Sequence, residues 1–452
     1  MSTLYRPELL YNGEAFTAGS SVLIDLADGG VDAALAPETV IDLPGKAMLP
    51  GFVNAHSHSF QRLIRGKSES RVSSGRDFWS WRGTMYHAAA HLDPQDVYDV
   101  ARMAFLEMLL SGTTTVGEFH YLHNTPGGAP YDDPNILSKQ VIAAARSVGI
   151  RIVLLRSAYL RAGYALPPDP GQIRFYETTE QFLKNMEALE KEYPATGSLV
   201  RLGVAPHSLR AVPLGDLKQI AAWTRERNLP LHMHVAEQVA ENEACLQEYG
   251  ATPVQLLSRE ALLGPDFTAV HAIHITGEEI KMLAGAGATV CSCPTTERNL
   301  GDGVLAADQL MRSGIRIALG SDSQAQIDPL EDARQLEYHL RLEQQQRAIL
   351  DQIGGEPLAR RLLDCATVHG AQALRVPPEA DFFTLNLDDL SIAGHSANDL
   401  LPLAVFTLNR RAICDVIVNG RTVVRDGRHP LQEEIVARYQ QLHHKLWGSA
   451  HP

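Results

Sequence analysis

Cysteine is scarce in this chain, with five in 452 residues. That number excludes a disulfide framework and fits a reducing compartment. Long apolar runs are absent too. No stretch of 18 apolar residues appears, which excludes a conventional membrane-spanning helix. Positive charge is short, with 40 Lys and Arg against 53 Asp and Glu, a net charge of −13. No basic stripe is visible, so nucleic acid is not an expected partner. A small anionic substrate needs local cations, because the overall field repels it. The opening residues, MSTLYRPE, carry no apolar signal core, and the expectation is a cytoplasmic protein with no membrane partner. Repeats and low-complexity segments are lacking.

What is present is ordinary globular material, 45% hydrophobic and 21% charged. That length and composition suit one large α/β barrel plus an accessory domain. Residues 1–47 alternate short apolar runs with Gly/Asp turns and read as small strands, the clearest at 21–25 and 39–43. From 48 onward the pattern becomes short apolar runs separated by amphipathic segments. Eight candidate strands fall at 48–55, 114–118, 151–157, 200–205, 229–235, 267–272, 288–293 and 315–320. Helical segments such as 181–193, 214–228 and 277–285 lie between them. Eight β-α units in series predict a closed parallel (β/α)8 TIM-like barrel over 48–374. Short strands return near 415–421, with Asn419-Gly420 a strong hairpin signal. Residues 1–47 and 375–452 therefore predict one small β-sandwich domain built from both termini, with a C-terminal helix.

In such a barrel, functional groups sit at the C-terminal ends of the strands. Here these ends are rich in histidine and carboxylate. Strand one closes on His56-Ser57-His58, two imidazoles at i, i+2 that point to one side of a strand. Strand two ends in Glu118-Phe119-His120-Tyr121 and strand four in Pro206-His207-Ser208-Leu209-Arg210. Strand five carries His232-Met233-His234-Val235-Ala236-Glu237. Strand six ends in His271, with His274 nearby, and strand eight in Gly320-Ser321-Asp322. Three His and one Asp suit one divalent ion of borderline softness, with a position left for water. A carboxylate near that water can move its proton, and Glu237 is placed for this. His232 and His234 share a strand face, so periodicity does not choose between them. Cys291 and Cys293 read as small buried residues.

The set LPGFVNAHSH, HMHVAE, AVHAIH and GSDS resembles the amidohydrolase superfamily, in its deaminase/chlorohydrolase branch. The resemblance implies His56, His58, His234 and Asp322 as ligands of one metal, usually zinc. It implies Glu237, His271 and Asp322 as the proton-handling catalytic residues. The ligand lies three residues before the glutamate in that pattern, which selects His234 over His232. No lysine ends a strand, which disfavours a dinuclear centre bridged by a modified lysine.

A narrower set of segments is similar to the deiminase family of histidine degradation that acts on N-formimidoyl-L-glutamate. They are HSFQR at 58–62, DFWSWR at 77–82, EFHY at 118–121, HSLRAV at 207–212 and NLGDG at 299–303. That resemblance implies hydrolysis to N-formyl-L-glutamate and ammonia, with Gln61, Arg82, Tyr121, His207 and Arg210 binding substrate. It also implies a homodimer. The chemistry agrees, since guanidinium groups clamp carboxylates through paired charge-assisted bonds. Arg82 is expected in an aromatic-rich loop. The segment CPTTERN at 293–299 is closer to the general deaminase branch, and Arg298 adds a cation there. The alternative is a zinc-dependent deaminase of a heteroaromatic base or nucleoside, which favours stacking surfaces over paired arginines. A metal-free regulatory protein on the same barrel predicts loss of a ligand or of Glu237, and none is lost.

Overall fold

A computed structural model describes residues 2–25, 37–69, 78–194, 199–376 and 381–448. Two sheets organise it. The first is mixed and seven-stranded: β1 (Ser2–Tyr11), β2 (Phe16–Ala18), β3 (Val22–Asp25), β4 (Thr39–Pro50), and from the far end of the chain β13 (Phe382–Asn386), β14 (Ile413–Val418) and β15 (Arg421–Val424). Its order is β15-β14-β13-β4-β1-β2, with β3 also on β1. Tyr5, Leu10, Ile24, Met48 and Ile417 give this β-sandwich domain a small core of its own. Asn419 and Gly420 form the β14–β15 turn, both with positive φ, as a two-residue hairpin of this kind requires.

The second sheet is the barrel: β5 (Phe52–Ser57), β6 (Thr113–His120), β7 (Arg151–Ala158), β8 (Val200–Pro206), β9 (Leu231–Val235), β10 (Phe267–His271), β11 (Thr289–Ser292) and β12 (Ile317–Leu319). Consecutive strands pair in parallel, and a bridge between Ser57 and Asp322 closes the circle. Strands β5, β6 and β7 are buried at every position, because helices cover the outer face and side chains fill the lumen. Cys291 and Cys293 are free and buried in that lumen with Ala55, Val270 and Ala318.

Three details depart from the sequence reading. The candidate strand 48–55 is two strands. Residues 48–50 finish β4 and pair with β13, and the barrel begins at Phe52. The break falls at Gly51, where a Cβ would sit 2.2 Å from Thr114 Oγ1. Arg82 lies on a helix, Phe78–His91, rather than in a loop. The C-terminal helix, Gln432–Trp447, packs on the barrel instead of the β domain. Its Tyr439 hydroxyl donates to the Arg62 carbonyl, its Trp447 Nε1 donates to Leu63, and its Glu434 pairs with Arg102 at 2.8 Å. Trp79 and Asp77 lie outside the residues whose side chains are described. No helix among the described residues is long and apolar enough to cross a membrane.

Candidate metal centre and substrate pocket

Strand alternation delivers the first two imidazoles. His56 and His58 leave the end of β5 toward the lumen, and His234 comes from β9. Asp322 follows β12, held by its N–H to the His56 carbonyl and its own carbonyl to His58 N–H, both 3.0 Å. Its φ of 47° is the left-handed region, a strained setting for a non-glycine residue. Gly320 lets β12 come this close, since a Cβ there would lie 2.8 Å from the His56 side chain.

The four donors converge. Asp322 Oδ1 is 3.2 Å from Nε2 of both His56 and His58, and His234 Nε2 is 3.1 Å from His56 Nε2. All four ligand atoms lie within 4.8 Å of one another. His58 Nδ1 meets the Phe119 carbonyl at 2.7 Å and His234 Nδ1 meets the His207 carbonyl at 2.9 Å. A carbonyl accepts only, so those nitrogens carry the protons and both Nε2 lone pairs face the centre. Burial depresses His56 to about 3 and drives His234 well below the ordinary imidazole range. Burial opposes the charge on Asp322, but the imidazoles of His56, His58 and His271 around it hold its carboxyl well below the usual range. Neutral lone pairs and one carboxylate around a common point are a cation seat, and His3Asp suits zinc.

The surrounding residues fix this cluster. Glu118, buried at the end of β6, accepts from Ser57 Oγ, Ser59 N and Ser59 Oγ at 2.6–2.7 Å. It therefore clamps the segment that carries both histidines. His232 lies outside the cluster and bonds the Ala373 carbonyl at 2.9 Å.

Glu237 follows β9 in a turn made by Ala236 at φ 53°. His271 Nε2 lies 3.9 Å from Glu237 Oε1 and 3.9 Å from Asp322 Oδ2. Its Nδ1 meets Glu297 Oε1 at 3.2 Å. Burial opposes a charge on this ring, but Glu237, Glu297 and Asp322 outweigh it and raise His271 well above the ordinary range. Glu297 was missed by sequence reasoning, which saw only a departure from pattern in its segment. Its oxygens also accept from Cys293 N at 2.8 Å and Ser292 Oγ at 3.0 Å. Though His271, Cys293 and Glu297 lie close enough to share an ion, those bonds already occupy the carboxylate.

Gln61, Arg82, Tyr121, His207 and Arg210 all line one pocket over the cluster, together with Glu237, His271 and Asp322. Gln61 Nε2 donates to Tyr121 Oη at 2.7 Å, and its Oε1 is buried without a partner. Arg210 Nε is likewise buried and unpartnered. Arg82 Nε donates to the Tyr86 hydroxyl, which also receives Gln172 Nε2 at 2.6 Å. Tyr86, Trp81, Tyr159 and Phe175 complete the aromatic wall. Trp81 lies in the 77–82 segment, and no motif flagged the other three. Arg298 stays outside, its side chain 43% exposed and 3.5 Å from Glu331. Asp302, from the 299–303 segment, accepts from Gln238 behind Glu237. Burial and the Glu237 charge push its carboxyl up to about 9.

A closed parallel barrel with His and Asp donors gathered at its C-terminal rim defines a hydrolase of the barrel metallohydrolase type. The amidohydrolase family model matches residues 47–423. The chain belongs to the amidohydrolase family and is a hydrolase acting on C–N bonds. It is 35% identical to the formimidoylglutamate deiminase of Pseudomonas aeruginosa, over 93% of this chain and 95% of that one. It is 29% identical to the 8-oxoguanine deaminase of the same organism, over 90% and 88%. The crystal structure of an amidohydrolase from Brucella melitensis superposes with a TM-score of 0.89 at 32% identity, covering 98% of this chain and 99% of that one.

Proposed function

We propose that this chain hydrolyses N-formimidoyl-L-glutamate to N-formyl-L-glutamate and ammonia, with one zinc ion held by His56, His58, His234 and Asp322. The observation that carries the substrate is Arg210. Its buried Nε without a partner faces a pocket whose floor is the donor cluster. An unpaired buried guanidinium is costly, and an anionic substrate removes that cost. Arg82, on the same pocket wall, offers a cation for the second carboxylate of the substrate.

When bound, the ion supplies Lewis acidity that makes water a nucleophile near neutral pH. Glu237 accepts a proton as the water oxygen bonds to the formimidoyl carbon, and passes that proton to the imino nitrogen. His271, charged through its three carboxylate neighbours, donates toward the oxygen and steadies the negative charge that develops there. The second water proton reaches the same nitrogen, the C–N bond breaks, and ammonia leaves. The oxygen remains as the formyl carbonyl. Gln61 and Tyr121, bonded to each other, orient the amide-like face of the substrate.

The test is ammonia release from N-formimidoyl-L-glutamate by zinc-loaded protein, with guanine and adenosine in parallel. Release from the formimidoyl compound, abolished by chelation, supports the reading. Turnover of a base alone moves the pocket to the base-deaminase alternative, which the aromatic wall of Trp81, Tyr121, Tyr159 and Phe175 favours.

A further inference from the structure

Arg210, Glu241 and Tyr164 line one cavity of about 640 Å³ beside the substrate pocket, and Nε of Arg210 and Oε1 of Glu241 are buried without a hydrogen-bond partner. The two spaces share Arg82 and Arg210. Glu241 sits in the first turn of helix Val239–Tyr249, one helical turn past Glu237. It is 5% exposed. Its Oε2 accepts the backbone N–H of Glu237 at 3.1 Å. Among the anions around Arg210, Glu241 does most to sustain its charge against burial.

We propose that Glu241 is the resident counter-anion of the substrate pocket, a positioning residue that holds the Glu237 backbone and balances the Arg210 charge in the free enzyme. When a substrate carboxylate takes over Arg210, Glu241 takes up a proton. This rests on the anionic-substrate reading above.

The charge balance supplies the reason. A second carboxylate brought onto Arg210 places like charges together in a buried space, and like charge disfavours the ionised form. The groups acting on Glu241 come from every element packed on it. Arg210 follows β8, Glu237 follows β9 and His271 ends β10. Tyr164 comes from the segment after β7, and Cys245 from the same helix as Glu241. Asp322 is held ionised by its histidines, and Asp302 is already neutral near pH 7. Burial and Glu237 raise the Glu241 carboxyl to about 7, against the pull of Arg210. It is therefore the carboxyl poised to change charge. The sign follows: binding favours the protonated form. Affinity for a dicarboxylate is flat below about pH 7 and falls up to about tenfold per pH unit above it.

The experiment is calorimetric titration of the zinc-loaded full chain with N-formyl-L-glutamate at pH 8, in buffers of different ionisation enthalpy. Wild type takes up close to one proton per ligand bound. Glu241→Gln takes up almost none and binds about tenfold more tightly at that pH. Binding by wild type without proton uptake overturns the inference alone, and this needs no variant to fold. Equal uptake by Glu241→Gln overturns it as well. Absence of any dicarboxylate binding overturns the substrate reading, and the inference with it.

Discussion

The two ends of the barrel use the same buried residue types to opposite purpose. At the N-terminal end, where the β domain sits, the charges at the domain junction are paired. Arg151 at the start of β7 meets Asp381 through two bonds at 3.0 and 3.2 Å, and Asp381 also takes Asn419 N–H at 2.7 Å. Lys46 meets Asp415 at 2.7 Å, and Thr384 completes that carboxylate. At the C-terminal rim, Gln61 Oε1, Arg210 Nε, Glu241 Oε1 and Asp302 Oδ2 are buried without partners. Buried polar groups are ordinarily paired. One end therefore spends its polarity on holding two domains together, and the other keeps it for a ligand. Mutations at the two ends are expected to separate stability from turnover, and four single substitutions and one double variant test that.

The largest effect falls on the metal seat. Asp322→Ala removes the carboxylate shared by His56 and His58, so the expected result is no turnover and protein purified without bound metal. Elemental analysis and ammonia release measure both. Retained stoichiometric zinc would break the assignment of this cluster. Next is Glu237→Gln, expected to lose about 10²- to 10⁴-fold in kcat. Its metal content stays at wild type, because Glu237 is not among the four donors. Metal loss in this variant would merge two roles that the geometry keeps apart.

Arg210→Met acts on binding rather than chemistry. Truncating one partner of a buried charge pair costs about 2–5 kcal/mol, so KM for the dicarboxylate rises at least about 30-fold. A neutral formimidoyl amide is affected far less. Equal losses on both substrates would mean that Arg210 supports the fold of the rim instead of reading charge.

The sequence shows these two ends unequally. The rim was legible where function rides on strand alternation. Strand alternation, a period of two visible in residues, places His56, His58 and His234 together, while Asp322, Glu237 and His271 lie at or beyond strand ends where positive φ at Asp322, Ala236 and His271 turns the chain. The closed barrel was legible for the same reason. Glu118 was visible at a strand end, but its clamp on Ser57 and Ser59 depends on two hydroxyls and one backbone N–H that no spacing brings together. Glu297 reads as pattern drift until His271 lies beside it. Glu241 gave one weak signal, its position one helical turn beyond Glu237. Tyr86, Tyr159 and Phe175 reach the pocket from separate segments, so no local motif joins them. The break at Gly51 was hidden because apolar residues run through it unbroken. The C-terminal helix was assigned by chain proximity to the β domain, while its polar contacts with Arg62, Leu63 and Arg102 lie hundreds of residues away.

The smallest effect on activity, and the one that completes the comparison, belongs to the N-terminal end. Asp381→Asn removes the carboxylate charge that accepts two bonds from the buried Arg151 guanidinium. Breaking a buried pair in this way costs about 3–5 kcal/mol of stability. The site lies at the opposite end of β7 from the pocket, so kcat/KM of the folded protein stays at wild type while the melting temperature falls. Replacing both partners, Arg151→Met with Asp381→Leu, removes the buried cation together with the carboxylate. The double variant is then more stable than Asp381→Asn alone, because the single change weakens a buried ion pair while keeping its cation buried. A double variant less stable than the single one would show that the bond Asp381 accepts from Asn419 N–H within the β domain, and not the ion pair to the barrel, sets the cost. A loss of kcat/KM in either variant would show that the two ends are coupled.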